Sequence, residues 1–357
     1  MGNSSLKGKN KMDHITVGVV ATSTSSSEKS SQYIELLEAN NIKYIKIDLK
    51  LISMDKALNK VLQCSHVIFI FAHYDTDRQI VSGFFNAIEL KGIKVFPNYS
   101  TAWHYDDKIA EYSLLKLFNK ESIFTNAYFT KVALEKEIDN MNFPIVFKLK
   151  KGASSNTVKL INSKESLLNI SKRMFTVGFS PIDSFILFEK EKIKNIIRII
   201  FYKTFSKWPT ILRNNWNKEK GYVLLQEFMP NNDYDTRITV IGNKAFAFRR
   251  FNREGDFRAS GSGKISYNQD GIDKKMIQMA FECSKELNFQ SMAYDFLYDK
   301  NRNPKICEIS YTYQSEAIFN CPGYWTDDLK FESGNYWPEQ FHIEELLNMK
   351  LNIRQTK

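Results

Sequence analysis

Two β-like runs, SMAYDFLY at 291–298 and KICEIS at 305–310, are joined by the turn-rich DKNRNP. If residues 299–304 form the connection, Tyr298 faces Lys305, and counting inward sets Asp295 opposite Glu308. Directly opposed side chains on one face of an antiparallel pair lie about 5 Å apart at Cβ. Two carboxylates there repel unless one is protonated or a cation sits between them. A divalent ion shared with phosphate oxygens is one reading, because Mg2+ takes one or two carboxylates plus substrate phosphates. A register one residue off, with both acids in solvent, is the other.

Positive groups recur in similar settings. In FPIVFKLKKGASSNTVKLI, 143–161, strand alternation places Val146, Lys148 and Lys150 on one face and Ile145, Phe147 and Leu149 on the other. A lysine within a buried sheet needs an anion, which singles out Lys148, while Lys150 is nearer the loop and solvated. In YDTRITVIGNKAFAFRRF, 234–251, Gly242-Asn243 suits a hairpin turn. Asp235 and Arg237 then share a face with Arg250 opposite Asp235, for which a cross-strand salt bridge is the plain reading. REGDFRASGSGK, 253–264, follows Arg258 with small residues whose backbone N–H groups can wrap an anion. LLQEFMPNND, 224–233, runs from an apolar strand into a turn. The chain has no GxxxxGK[ST] and no GxGxxG, its five histidines form no spaced cluster, and no Ser–His–Asp or Cys–His signature appears.

These residues must be positioned by elements that the pattern outlines. HITVGVV (14–20), YIKIDL (44–49), HVIFIF (66–71) and KVFPN (94–98) alternate with helical stretches near 28–40, 54–63 and 79–90, which predicts a small parallel α/β domain. Further helices are expected over 106–119, 131–140, 163–173, 271–287 and 338–348. The stretch from 222 reads mostly as strand.

With 357 residues, 43% hydrophobic and 25% charged, the chain is long enough for two or three globular domains. No run of about 18 apolar residues predicts a membrane span, and the polar first twelve residues lack a signal-peptide core. Leu6 stands where myristoylation of Gly2 calls for Ser or Thr, and Met12 is an alternative start. Four cysteines without CxxC spacing predict free thiols and a cytoplasmic setting. The net charge of +10 is concentrated: residues 190–220 hold nine Lys/Arg against two Glu, so seven of the ten net charges lie there. A general polyanion coat is therefore not expected, and nucleic acid is not an expected partner.

The order of these pieces resembles the ATP-grasp superfamily over about 101–312, especially its ribosomal-protein glutamate ligase branch. The landmarks are DKIAEYSLLK (107–116), PIVFKL (144–149), GASSNTV (152–158), LLQEFM (224–229), DTRITVIGNKAFAFRR (235–250), GDFRASGSG (255–263), YDFLY (294–298) and CEIS (307–310). The resemblance implies an α/β (α+β) chain in which two α+β subdomains clasp a nucleotide. Its boundaries would be 1–12 as a disordered start, 13–100 as the preceding α/β domain, 101–222 as the first subdomain with a basic insertion at 190–220, and 223–350 as the second with an aromatic tail.

The resemblance also implies roles. Lys108 and Lys148 look like the lysines that touch nucleotide phosphates, and 152–156, with Ser154 and Ser155, like the lid over them. Gln226, Glu227, Phe228 and Met229 look like the hinge against adenine, with backbone groups of Glu227 and Met229 reading the base edge. Asp235 looks like the acid that holds ribose, with Asp233 as its competitor. Arg258 looks like the arginine at a reacting acyl phosphate, helped by Arg237 or Arg250, and Asp295, Glu308 and Ser310 look like the Mg2+ ligands. The family's Glu-x-Asn is here Glu308-Ile309-Ser310, and Ser260 replaces the Asn expected after the GDFR arginine. The implied activity is ATP- and Mg2+-dependent joining of a carboxylate to an amine, on an amino acid or a sugar uronate. A nucleotide-binding protein with little ligase activity is the rival. Segment 190–220, outside the resemblance, reads as a helical insertion or as a dock for an anionic membrane at the inner face; a homodimer is a compatible assembly. The aromatic tail, 321–341, is expected to pack mostly on the second subdomain.

Overall fold

In a computed structural model of the protein, residues 14–22, 24–69, 75–152, 157–179, 218–259 and 261–352 are described. The chain opens as β1 (Thr16–Ala21), α1 (Thr24–Ala39), β2 (Lys43–Asp48), α2 (Met54–Val61), β3 (His66–Phe69), α3 (Asp75–Leu90) and β4 (Lys94–Phe96). These four strands are parallel, in the order β2-β1-β3-β4. β3 is buried along its length and β1 from its second residue, as befits strands covered on both faces, and this is why both read as unbroken apolar runs.

Next come α4 (Tyr99–Ala102), α5 (Lys108–Leu117), β5 (Thr125–Tyr128), α6 (Lys131–Glu137), β6 (Ile145–Lys148), β7 (Val158–Ile161), α7 (Lys164–Met174) and β8 (Val223–Glu227). Their strands form an antiparallel sheet ordered β5-β8-β6-β7. The remaining elements are β9 (Tyr234–Ile241), β10 (Lys244–Phe251), β11 (Ile265–Ser266), α8 (Lys274–Glu286), β12 (Ser291–Tyr298), β13 (Pro304–Ser310), α9 (Ser315–Phe319), β14 (Gly323–Thr326), β15 (Phe331–Ser333) and α10 (Pro338–Leu347). They build a third sheet, β13-β12-β9-β10-β14-β15, with β11 on β10. The hairpin turn at Gly242-Asn243 and the Asp235–Arg250 pairing fall where alternation put them.

The β12–β13 hairpin reaches its expected pairing by an unexpected route. Tyr298 faces Pro304 rather than Lys305, so the connection is one residue shorter than expected. A β-bulge then absorbs Cys307, and Asp295 faces Glu308 after all. A bulge re-aims side chains. Here the consecutive residues Cys307 and Glu308 both line one crevice, beside the buried Ile306, while Ile309 is buried in the core.

The last helix does more than close the third sheet. Ile343, Leu346 and Leu347 of α10 pack with Val17, Ile68 and Phe96 of the first sheet, binding the C-terminus to the N-terminal strands. The aromatic tail packs as expected: Tyr324, Tyr336 and Phe341 cluster with Phe246 and Phe248, and Trp337 stacks on Phe319 at 4.4 Å.

Candidate active site

The second and third sheets meet where Ile306 N–H donates to the Glu121 carbonyl (2.8 Å) and Ile123 N–H to the Ile306 carbonyl (2.9 Å). Beside this seam lies a crevice lined by Lys108, Glu111, Lys148, Gln226, Cys307 and Glu308, among others. Gln226 on β8 crosses it, donating from Nε2 to Thr125 Oγ1 (3.0 Å) and to the Cys307 carbonyl (3.2 Å).

Lys108 and Lys148 arrive from separate elements, and both are buried. Asp107 caps α5 by accepting from Ile109 and Ala110 N–H (3.2 and 3.1 Å), which fixes Lys108 in the first turn. Lys108 Nζ lies 3.5 Å from Glu308 Oε1 and donates to the Gly152 carbonyl at 3.0 Å. Burial opposes its charge, but Glu308, Asp106 and Glu111 outweigh burial and raise its pKa. Among the described residues Lys148 Nζ has the Cys307 thiol at 3.8 Å, a weak contact. Glu111, three residues after Lys108 and therefore on the same helix face, was not singled out in the sequence. Burial, then repulsion by Glu308, pushes its pKa well above the ordinary carboxylate range and so favours its neutral form. Lys108 and Lys148 thus line the crevice together with Glu111 and Glu308. The crevice suits an anion.

The C-terminal end of β6 and the residues after it are stitched to the start of α5. Lys108 N–H donates to the Lys150 carbonyl (3.1 Å), Gly152 N–H to Asp106 Oδ1 (2.8 Å), and Lys150 Nζ lies 3.3 Å from Asp107. Lys150 is therefore paired at the rim rather than simply solvated. Gly152 has φ +117°, and a Cβ there would meet Thr157 Cγ2 at 2.5 Å. Gly152→Ala is expected to cost about 1–3 kcal/mol in chemical denaturation, through backbone strain, and to weaken nucleotide binding by displacing the carbonyl that Lys108 holds. Ser154, Ser155 and Ser260, and residues 190–217 of the basic segment, lie outside the described residues.

Asp295, expected as a metal ligand, is held by arginines instead. Arg237 donates from Nε and Nη2 to its two oxygens (2.7 and 2.8 Å), and Arg250 Nη2 lies 2.8 Å from Oδ2. Asp235, expected at ribose, gives both oxygens to Arg250 (2.7 and 2.6 Å). The cross-strand salt bridge holds and extends into a four-member buried network. Burial raises the Asp295 pKa, but Arg237 and Arg250 reverse this and hold the carboxyl well below its usual range. Ser310 Oγ donates to the Thr312 carbonyl (3.0 Å). Among the described residues no group of three or more His, Cys, Asp or Glu forms a metal cluster.

Around the hinge, Met229 is buried and Phe228 meets Phe257 edge-on at 5.8 Å. The Glu227 N–H is spent on the Phe124 carbonyl (2.9 Å), which removes it from any base-reading set. Asp233 is exposed. Arg258 grips Asp256 in a fork (Nε–Oδ1 2.8 Å, Nη2–Oδ2 2.7 Å) and reaches the Val158 carbonyl of β7 at 3.4 Å, so it links the segment after β10 to the second sheet.

Residues 194–321 match the family model of the RimK-like ATP-grasp domain. That match begins inside the basic segment and so includes most of what was expected to lie outside the resemblance. Three solved structures share the fold. The N5-carboxyaminoimidazole ribonucleotide synthetase of Thermotoga maritima has a TM-score of 0.56 and 13% identity, over 95% of this chain and 77% of that one. The D-alanine–D-alanine ligase of Bacillus anthracis has a TM-score of 0.53 and 14% identity, over 83% and 86%. The macrocyclase MdnC of Microcystis aeruginosa, bound with its precursor peptide MdnA, has a TM-score of 0.56 and 13% identity, over 94% and 99%. No curated protein matches in sequence. No helix among the described residues is long and apolar enough to cross a membrane.

Proposed function

We propose that this chain, whose residues 194–321 match the RimK-like ATP-grasp domain, is an ATP-grasp protein and an ATP- and Mg2+-dependent carboxylate–amine ligase. The observation that carries the reading is the convergence of Lys108 and Lys148 beside Glu308 in a crevice between two antiparallel sheets. A carboxylate is a poor electrophile. Its oxygen attacks the γ-phosphorus and ADP leaves; the amine nitrogen then attacks the acyl carbon, phosphate leaves, and the nitrogen gives up a proton. No protein nucleophile is needed, so the work is positioning and charge neutralisation.

In this reading Lys148 and Lys108 hold phosphate oxygens. Arg258, once released from Asp256, faces the transferring phosphoryl group. The hinge of Gln226, Phe228 and Met229 flanks adenine, and the ribose falls to Asp233, because Asp235 is committed to Arg250. Glu308 together with phosphate oxygens is a donor set that suits Mg2+. Asp295 joins it only when a triphosphate competes for the guanidinium groups of Arg237 and Arg250. When bound, the ion would neutralise phosphate charge; Ser310 is turned toward Thr312 and adds little. An amino acid or a sugar uronate is the substrate class to try first. ADP release with pooled carboxylates and amines tests the proposal. Turnover that needs both pools supports it, whereas nucleotide binding without turnover across broad pools would favour a binding protein that keeps the fold.

A further inference from the structure

A further pocket lies away from Lys108 and Lys148, where Tyr311, Thr312, Tyr313 and Ser315 leave β13 and meet α1 and the first turn of α10. The cavity measures ≈ 20 Å3, room for one water-sized group. Its wall is aromatic: Tyr33, Phe96, Tyr311, Tyr313 and His342 surround it. His342 is fixed between two hydroxyls, with Tyr33 at 2.8 Å from Nδ1 and Tyr313 at 2.7 Å from Nε2. Burial holds its pKa down near 3, so the ring is neutral and contributes no positive charge.

Into this wall projects Glu339, 3% exposed. Its Oε1 accepts from the Ser315 hydroxyl, while Oε2 is buried with no hydrogen-bond partner among the described residues. A buried carboxylate oxygen without a donor is unfavourable, so the arrangement asks for a donor of its size. A carboxylate ringed by aromatic faces is the chemistry that recognises an alkylammonium, by ion pairing and cation–π attraction. Burial raises the Glu339 pKa, and the Ser315 hydroxyl and Lys29, the exposed cation that lines the cavity, pull it back in part; an arriving ammonium would favour the charged form further, against the field of Lys29.

We propose that this cavity seats the primary ammonium group of one of the ligase's two substrates, with Glu339 as its counter-ion. The inference rests on the ligase reading and narrows it: one substrate carries a primary amine, as an amino sugar or an amino acid does. The role is recognition, and no proton transfer is assigned to Glu339.

Thermal unfolding of the full chain without nucleotide tests this separately from ligation. Methylammonium chloride, the smallest primary alkylammonium, is compared with tetramethylammonium chloride at equal ionic strength. The wild type is expected to gain about 2–4 °C with methylammonium at roughly tenfold excess over its dissociation constant, and nothing with the bulkier cation. Glu339→Gln should abolish that difference, and Lys29→Gln, a change at an exposed position, should enlarge it. Equal shifts for the two salts in wild type and in Lys29→Gln would overturn the proposal, as would a Glu339→Gln protein that folds and keeps the difference. Turnover in the pooled assay with no methylammonium effect would sink the cavity assignment and leave the ligase intact.

Discussion

Lys148→Ala is expected to lower ATP-dependent ADP release by about 10²–10³, the usual cost of removing one preorganised electrostatic contact, and to weaken nucleotide binding in parallel. The structure makes this variant a clean test. Among the described residues the hydrogen-bond contact of Lys148 is the Cys307 thiol, at 3.8 Å, so its loss breaks no strong hydrogen bond and the melting midpoint should hardly move. Lys108→Ala provides the contrast. Lys108 ties Glu308 and the Gly152 carbonyl, so that variant should lose stability as well as activity. Calorimetric titration with a nonhydrolysable ATP analogue separates the outcomes. Unchanged affinity in a folded Lys148→Ala protein would remove the crevice from consideration as the phosphate site.

The elements were far more legible than the partners of their charged side chains. β1 to β4 and the helices between them follow from apolar runs and spacing alone, because a sheet covered on both faces leaves a strong sequence trace. Gly242-Asn243 gave away the β9–β10 hairpin, and with it the Asp235–Arg250 pair. Alternation fixes which residues share a face, but not which of two arginines a carboxylate will choose. Asp295 was therefore assigned to a metal although Arg237 and Arg250 claim it. Register counting likewise cannot foresee a bulge. Asp295 faces Glu308 only because the one-residue error at Pro304 is cancelled at Cys307. Glu111 was missed although the i, i+3 spacing to Lys108 could have found it. Nothing local in 338–347 says that this helix packs on the first sheet, a contact set by topology across the whole chain.

Arg250→Ala should be the most destabilising single change in the third sheet, costing about 3–5 kcal/mol, because it strips a buried ion network of its shared cation. Arg250 serves Asp235 and Asp295 together, whereas Arg237 serves Asp295, which would keep Arg250. Arg237→Ala should therefore cost less. Asp235→Asn in the Arg250→Ala background should recover part of the loss, since what remains after Arg250 is removed is chiefly the penalty of an unpaired buried carboxylate. The pH dependence has a definite sign. The Asp295 carboxyl is held below its unfolded value, so its contribution is present above the ordinary carboxylate range and is lost as pH falls through the lowered value. Urea unfolding of the wild type and the three variants from pH 7 down to about pH 2 checks both claims, and equal losses for Arg237→Ala and Arg250→Ala would show that Arg250 is not shared. The same network bears on function. A carboxylate that receives two guanidinium groups repels no anion and attracts little metal, so Asp295 can bind a cation only after those arginines find phosphate. Equilibrium dialysis should then show Mg2+ binding that strengthens with ATP in wild type and depends less on ATP in Arg237→Ala.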